Sequence, residues 1–278
     1  MQQVNPSFNI QAPGIHFETS QLFAEAGPMG VSLAILDNSN CFVAVVSYAF
    51  SANLNQQELS DALKELFTRE HLLQQRYNKT HVFWAFPDSI LVPAELMNAD
   101  RNLNMLNLVF GDVNQGLIRS DFLYKHNLHN VYRLPQPVIE LFSTYLPVAT
   151  QTHLFSTIVN TSFPEGNLLK AIFYSNSITL MLSRESRLQV IQNFLYTEAD
   201  DCVFHLLNVC KGFDVHPDSV TLQINGMIDA ASGLYAAIYK YFLHIEFDTV
   251  PEEYSYIEDI KKLPDHFFSH LFELPACV

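Results

Sequence analysis

Apolar residues fall in short runs along the chain, and helical spacing appears only between these runs. Two runs rich in strand-forming residues, 29–37 and 41–50, are separated by a short polar turn, which favours a hairpin. A helix is predicted next, because Asn55 and Glu58 have the spacing of a capping box and apolar residues then recur every three or four positions. Residues 80–86 predict the following strand.

The second half of the chain repeats this order of elements. Residues 167–197 predict three antiparallel strands with polar turns, and residues 200–211 predict a helix that Gly212 ends. A strand, a helix, a strand and a last helix near residues 264–272 complete a β-β-β-α-β-α-β-α order. The first half fits the same order at an offset of about 140 residues, although its third strand is weak. We therefore expect two lobes, residues 1–147 and 148–278.

Composition limits the class of protein. Hydrophobic residues make up 49% and charged residues 16%, and the net charge is −14, which argues against non-specific binding to nucleic acid or anionic membranes. No apolar run is long enough to span a membrane, and the N-terminus lacks the basic and apolar regions of a signal peptide. None of the four cysteines forms a C-x-x-C pair, so we expect reduced thiols and a cytoplasmic location.

Four segments together carry a resemblance to a known family. They are VSLAILDNSNCFVAVVSYAF, SILVPAEL, NFLYTEADDCVFHLLNVCKGFDVHPDSVTLQINGMID and SGLYAAIYKYFLHIEF. The chain resembles an uncharacterised family of Bacteroidetes proteins, a domain of unknown function, that has the actin-like ATPase fold and is distantly similar to pilus-assembly ATPase-like proteins. The resemblance implies an α/β protein with tandem duplicated β-β-β-α-β-α-β-α lobes of the ribonuclease H-like type.

An active member of this superfamily needs two phosphate-binding turns and an adenosine turn. We match the first phosphate turn to LAILDNSNCFVAV, which has Asp37 but no glycine, and the second to KAIFYSNSITLML, which has neither acid nor glycine. The adenosine turn matches Asn225 and Gly226, with Gly233 at the next helix start. Asp37, Asn225, Gly226 and Gly233 are therefore the candidate residues of a vestigial nucleotide cleft between the lobes.

No other motif predicts chemistry as directly. His266 and His270 have a two-ligand spacing beside Asp265, but no third metal ligand is evident, so a metal-dependent hydrolase is the weaker alternative. No nucleophile elbow occurs, and Cys202 and Cys210 share a helix face typical of buried thiols. We expect no catalytic residue, no metal and no bound cofactor.

These patterns favour a non-catalytic scaffold that binds another protein over an enzyme. The alternative is a nucleotide-binding sensor or a weak ATPase or kinase-like enzyme that uses the cleft. The partner is expected at the acidic and aromatic segment 252–259, which contains Tyr254 and Tyr256. Four further aromatic residues near the termini are expected to be exposed, namely Phe23, Phe267, Phe268 and Phe272.

Overall fold

A computed structural model describes residues 5–51, 54–112 and 116–278, without the side chains of residues 99 and 100. No signal peptide is predicted in the N-terminal stretch, and the first residues of this stretch are not among the described residues. The chain forms two compact units. The first comprises the chain up to Asn160 and the segment Glu253–Ile260, and the second comprises Thr161–Glu252 and Lys261–Val278. The units therefore divide after the domain boundary expected at residues 147/148.

The first unit is an α/β structure with nine strands and four helices in its continuous part, as far as this part is described. In chain order the elements are β1 (Phe8–Gln11), β2 (Gln21–Gly27), β3 (Gly30–Leu36), β4 (Cys41–Ala49), α1 (Gln56–Arg69), β5 (Lys79–Trp84), β6 (Ser89–Pro93), α2 (Ala99–Phe110), β7 (Gly116–Leu123), β8 (Leu128–Pro135), α3 (Gln136–Tyr145), β9 (Thr150–His153) and α4 (Leu154–Val159).

The main sheet of this unit has the order β1-β4-β3-β2-β5-β9. Strands β2, β3 and β4 are antiparallel, whereas β5 and β9 add in parallel to β2. The weak strand of the first half is thus the first one, β2, and not the third. Its sequence, QLFAEAG, combines a buried Glu25 with small residues, so it does not show the alternation or the β-branched content that predicts a strand.

Strands β6, β8 and β7 form a separate antiparallel sheet that is inserted between β5 and α3. Helix α2 packs on this sheet around Val92, Leu106 and Val131. We call β6, α2, β7 and β8 the insertion. Without the insertion and the edge strand β1, the continuous part of the first unit reads β-β-β-α-β-α-β-α, as the sequence predicts.

The core of the first unit lies between its main sheet and helices α1 and α3. Asn55 and Glu58 form the predicted capping box, so the helix begins where the sequence indicates. Phe67 of α1 contacts Phe142 of α3 with ring centroids 4.9 Å apart. Trp84 of β5 is fully buried and its ring lies 4.7 Å from that of Phe142. Aromatic packing therefore fixes both helices on the sheet.

The remaining elements follow in the rest of the chain, and most of them form the second unit. They are β10 (Asn167–Phe173), β11 (Ser177–Arg184), β12 (Arg187–Leu195), α5 (Ala199–Gly212), β13 (Thr221–Gly226), α6 (Gly233–Ile238), β14 (His244–Phe247), β15 (Ser255–Tyr256), α7 (Glu258–Lys261) and α8 (Ser269–Phe272), of which β15 and most of α7 belong to the first unit. The five-stranded sheet has the order β12-β11-β10-β13-β14, with an antiparallel trio and two parallel strands.

The two units repeat one another down to single hydrogen bonds. The Phe50 N–H donates to the Met29 carbonyl at 2.8 Å, and the Tyr196 N–H donates to the Asn176 carbonyl at 3.1 Å. Likewise, the N–H groups of Ala85 and Met227 donate to the carbonyls of Ala26 and Phe173, each at 2.8 Å. Strands β2 and β10 are therefore equivalent, and so are β4 and β12.

Strand β13 approaches β10 closely at its carboxyl end. Gly226 has φ +89°, and a Cβ atom added there would lie 2.2 Å from the Phe173 carbonyl oxygen. Only glycine fits this position, both because the left-handed backbone disfavours a side chain and because the neighbouring strand occupies the space. The glycine at the end of this strand therefore has a purely structural reason.

Each unit also holds a buried histidine whose pKa is strongly lowered. His153 accepts a hydrogen bond from the Phe155 N–H at its Nδ1 atom, and its Nε2 atom lies 2.9 Å from the Phe86 carbonyl. The His270 Nδ1 atom lies 2.7 Å from the Asn225 side-chain oxygen. Burial lowers the pKa of His153 to about 4, and burial together with the Lys170 charge lowers the pKa of His270 to about 3.

Substitution of Gly226 by alanine should destabilise the protein by about 2–6 kcal/mol, since backbone strain and overpacking add. The matched control is Gly233→Ala, where a Cβ meets nothing within 4 Å and alanine should stabilise the helix by about 0.5–1 kcal/mol. Urea unfolding measures both changes. Equal effects of the two substitutions would contradict this account of Gly226.

The free energy of unfolding should fall with pH below about 6.5, because the unfolded chain then protonates both histidines while the folded chain does not. Each buried histidine should contribute a loss of up to about 1.4 kcal/mol per pH unit in this range. His153→Gln and His270→Gln should each reduce the slope of stability against pH, whereas substitution of the exposed His244 by glutamine should not. Unchanged slopes in both buried-site variants would show that these histidines do not control acid stability.

Candidate functional site

The structure places Asp37 in the second turn of the antiparallel group β2-β3-β4. The turn that follows the first strand of the unit joins β2 to β3 and contains Gly27 and Gly30. Asp37 instead lies in the next turn, between β3 and β4. The two turns matched from the sequence, at Asp37 and at Ser175, are therefore not equivalent in the two units, because β2 was not recognised and the strands were counted from β3. The turn between β2 and β3, which corresponds to that between β10 and β11, does contain glycines.

Asp37 caps its own turn. Its Oδ1 atom accepts hydrogen bonds from the Ser39 N–H at 2.9 Å, the Ser39 hydroxyl at 2.7 Å and the Cys41 N–H at 2.9 Å. Asn40 has φ +58°, a conformation that asparagine adopts more readily than most residues. The carboxylate thus holds the hairpin together.

A polar row crosses the sheet near the Gly27–Gly30 turn. Glu25 pairs in register with Ser32, and Ser32 pairs with Ser47, so the three side chains lie on one face. Glu25 is 4% exposed, and the Ser32 and Ser47 hydroxyls are 3.0 Å apart. A carboxylate and two hydroxyl groups provide oxygen ligands of the kind that hold Mg²⁺ or its bound water. Sequence reasoning missed this row, and a charged residue within a buried strand was the signal that could have found it.

The glycines of this turn also have packing reasons. A Cβ atom on Gly27 would lie 2.7 Å from the Ala85 carbonyl oxygen, and one on Gly30 would lie 2.1 Å from the Tyr48 carbonyl oxygen. Neighbouring strands therefore require glycine at both positions, with or without a ligand.

The equivalent row in the second unit has no acid, although the Asn193 side-chain NH₂ donates to the Thr179 hydroxyl at 3.0 Å, at the positions that correspond to Ser47 and Ser32. The equivalent turn, between β10 and β11, contains Ser175 and Asn176, and the Ser175 hydroxyl donates to the Asn176 side chain at 2.7 Å. Ile172 occupies the position that corresponds to Glu25. The turn therefore has neither the acid nor the glycine of a phosphate site, as the sequence match stated.

Asn225 lies at the centre of a buried polar cluster in the second unit. Its side-chain NH₂ donates to Asp248 and to the Ser269 hydroxyl, both at 2.7 Å. Since the amide oxygen is then the acceptor for His270, the imidazole donates through Nδ1. Asn225 is fully buried, so its hydrogen-bonding groups are used to attach α8 to the sheet.

Lys170 completes this cluster. Its Nζ atom lies 3.1 Å from Glu273 and 3.3 Å from Asp248. Burial alone would lower the pKa of Lys170, but Glu273 and Asp248 outweigh burial and hold the pKa above its usual value. The charged lysine therefore balances the two carboxylates, and the cluster is a connected network rather than an open binding site.

Gly233 begins α6, and the preceding Ser232 caps the helix by accepting the Tyr235 N–H at 3.1 Å. The structure therefore brings Asn225 and Gly226 together at the end of β13 and puts Gly233 in the following segment, whereas Asp37 belongs to the other unit. A nucleotide-binding role of these four residues stays a prediction.

The histidine and cysteine candidates are engaged or buried. The His266 Nε2 atom lies 2.8 Å from the Ile228 carbonyl, and His270 contacts Asn225, so both histidines make contacts within the fold. Within the described chain, no group of three or more potential ligands could hold a metal ion. Burial raises the pKa of Cys202 to about 12 and that of Cys210 to about 11, so neither thiol is activated.

The acidic and aromatic segment is not the free loop that the sequence suggests. Ser255–Tyr256 forms β15, which pairs in parallel with Cys41 and Phe42 of β4. Tyr256 is buried and stacks on Phe42 with centroids 5.5 Å apart, and Tyr254 contacts the same ring edge-on at 5.4 Å. The expectation that these tyrosines dock a partner is wrong for the folded protein, because the sheet of the first unit already uses them.

The aromatic residues expected at the surface are also mostly internal. Phe23, Phe268 and Phe272 are buried, and Phe267 is half-buried. Position near a terminus misled the prediction, because the terminal segments pack on the sheets. Large apolar residues are exposed on the insertion instead, including Leu108, Val109, Phe122 and Tyr124.

Comparisons with known proteins define the fold. A Bacteroides thetaiotaomicron protein with actin-like ATPase fold and unknown function superposes with a TM-score of 0.71 at 15% identity, over 84% of this chain and 93% of that one. A structure of the PilM–PilN type IV pilus biogenesis complex superposes with a TM-score of 0.60 at 11% identity, over 92% of this chain and 97% of that one. No curated protein matches the sequence significantly.

The predicted α/β actin-like ATPase fold is thereby confirmed. In the part of the chain that the structure describes, no helix is long and apolar enough to cross a membrane. The model of a family described as "Protein of unknown function (DUF3822)" matches residues 15–245. Since this match covers most of the sequence, the chain belongs to the DUF3822 family.

Proposed function

We propose that this protein is a non-catalytic member of the actin-like fold that acts in the cytoplasm by binding another protein. The observation that carries the proposal is the state of the nucleotide turns. Asp37 caps its own hairpin, and the Asn225 side chain is hydrogen-bonded within a buried cluster. The turn matched to the second phosphate turn has neither acid nor glycine. Phosphoryl transfer depends on positioned charges at both phosphate turns, and only one turn here retains an acid nearby.

The insertion supplies the surface for a partner. Its sheet and α2 bury only a small core, and they expose Leu108 at 87%, Phe122 at 53% and Tyr124 at 66%. Exposed aromatic and aliphatic side chains on one small element are typical of protein interfaces. The Phe122 ring also contacts His129 at 4.9 Å, which orders an aromatic pair at the surface.

The likeness to PilM supports the same kind of role. The similar structure is that of the PilM–PilN type IV pilus biogenesis complex, so a chain of this fold can work as one component of an assembly. This likeness supports only the type of activity, since a sequence identity of 11% does not indicate which protein the partner is.

A variant with Leu108→Ser and Phe122→Ser should lose binding of the physiological partner by about tenfold or more, because two apolar anchors are removed. Val148→Ser is the matched control, since Val148 is 89% exposed in the same unit but outside the insertion. Proximity labelling identifies proteins that the wild type and the control enrich and the double variant does not, and calorimetry with the purified candidate then gives the affinity. A partner that binds all three proteins equally would refute the insertion as its site.

The polar row at Glu25 favours one second candidate, a sensor that binds a nucleotide with Mg²⁺. Glu25, Ser32 and Ser47 lie beside the glycine turn of the first unit, where the fold would place a phosphate. This candidate does not require hydrolysis, and the missing acid in the second turn is consistent with binding alone.

Mg-ATP separates the two candidates. A non-binding scaffold should show no change in melting temperature with Mg-ATP, whereas a ligand at a hundred times its Kd would stabilise the fold by about 2.7 kcal/mol. Differential scanning fluorimetry of the wild type and Glu25→Gln makes the measurement. If Mg-ATP raises the melting temperature of the wild type but not that of Glu25→Gln, the protein is a nucleotide sensor. The argument that its phosphate site is degenerate would then fail.

A further inference from the structure

The outer edge of β12 has no strand beside it in the described chain. Strand β12 ends the order β12-β11-β10-β13-β14 and pairs with β11 alone. Its equivalent in the first unit, β4, is covered along the same edge by two segments of the chain, β1 and β15. The two sheets are therefore alike except at this edge.

Backbone groups at the open edge have the same directions as those that β1 covers. In the first unit the Ser7 N–H donates to the Ser47 carbonyl, and the Ala12 N–H donates to the Val43 carbonyl, both at 2.8 Å. Counting back from the equivalent residues Phe50 and Tyr196, Ser47 corresponds to Asn193. Since backbone groups alternate along a strand, residues 191, 193 and 195 direct their N–H and carbonyl groups away from β11.

One contact agrees with this assignment. His205 of α5 stacks on Phe194 at 4.6 Å, and its Nε2 atom lies 3.1 Å from the Leu195 carbonyl. This carbonyl is therefore satisfied from the helix, while the carbonyls of Ile191 and Asn193 and the three N–H groups are directed outward. A register shift between Leu182 and Ser183 disturbs the other end of the β11–β12 pair, so the regular edge is the half from Ile191 to Leu195.

The two ends of the edge differ in charge and polarity. Arg184 and Arg187 lie at the hairpin end with Glu185, which gives this end one net positive charge. Exposed Glu198 and Asp200 follow the other end, where Leu195 and Phe204 are 57% and 62% exposed. An open edge with exposed apolar residues is a site where a further strand can add.

We propose that a second copy of this chain pairs with β12 through its own β12, antiparallel and about a two-fold axis. Antiparallel pairing is the direction in which β1 covers β4. It also places the arginine end of each strand beside the acidic end of the other, so one surface is complementary to itself. The two five-stranded sheets then form one sheet that crosses the interface.

Sedimentation velocity on the full chain tests the proposal at several protein concentrations. The wild type should shift towards twice the 31.7 kDa of one chain as concentration rises into the micromolar range. Leu195→Lys should raise the dimer dissociation constant by about tenfold or more, because a lysine on an edge opposes strand pairing. The matched control is Leu243→Lys, since Leu243 is 68% exposed at the opposite edge of the same sheet, and it should not change the constant.

A charge exchange tests the orientation. Arg187→Glu should weaken the dimer, and addition of Asp200→Arg in the same chain should restore it, because positions 187 and 200 then again carry opposite charges. Circular dichroism checks that each variant is folded. A wild type that stays monomeric at 100 µM, or a dimer that Leu195→Lys leaves intact or Leu243→Lys disrupts equally, would overturn the proposal. Failure of the charge exchange to restore association would overturn the antiparallel arrangement.

Discussion

One parallel strand pair, between the first strand of the antiparallel trio and the strand that follows the first helix, organises each unit of this protein. In the first unit β2 pairs with β5, and in the second β10 pairs with β13, while the antiparallel trio extends from the other side of the same first strand. The connection from the third to the fourth strand must cross the sheet with a helix, which is α1 or α5. The close approach at the end of this pairing requires Gly226 in one unit and Gly27 in the other. Both glycines therefore lie where neighbouring strands pack most closely.

The sequence predicts the elements well where local chemistry decides them. The capping box at Asn55, the three strands of the second half and the helix that Gly212 terminates follow from capping, turn and alternation rules. Strand β2 was missed because its fit depends on tertiary burial: Ala24 and Ala26 are buried in the core, while Glu25 lies on the opposite face. Because this strand was missed, the match in the first unit fell on the turn at Asp37, whereas the match in the second unit corresponds to the Gly27–Gly30 turn.

The candidate site was less predictable, because its residues are distant in sequence and meet through strand register. Glu25, Ser32 and Ser47 become neighbours only when three strands are aligned. Asn225, Asp248 and Ser269 likewise meet only after the C-terminal segment folds onto the sheet. A buried asparagine with every group paired specifies how α8 attaches to the sheet, which explains its presence without a ligand. The same principle explains why Tyr254 and Tyr256, which look like interface residues in the sequence, are internal.

Edges of sheets distinguish the two units more than their interiors do. Both interiors follow one plan, with an apolar face under the helices and a polar row or cluster on the opposite face. The edge at β4 is closed by β1 and β15, which come from regions 30 or more positions away in the chain. A duplicated fold has two equivalent edges. Since the chain's own segments close one of them, a further strand can pair at the other edge without replacing an internal hydrogen bond. Because of this asymmetry between β4 and β12, we expect the protein to contact other molecules at β12 rather than at β4.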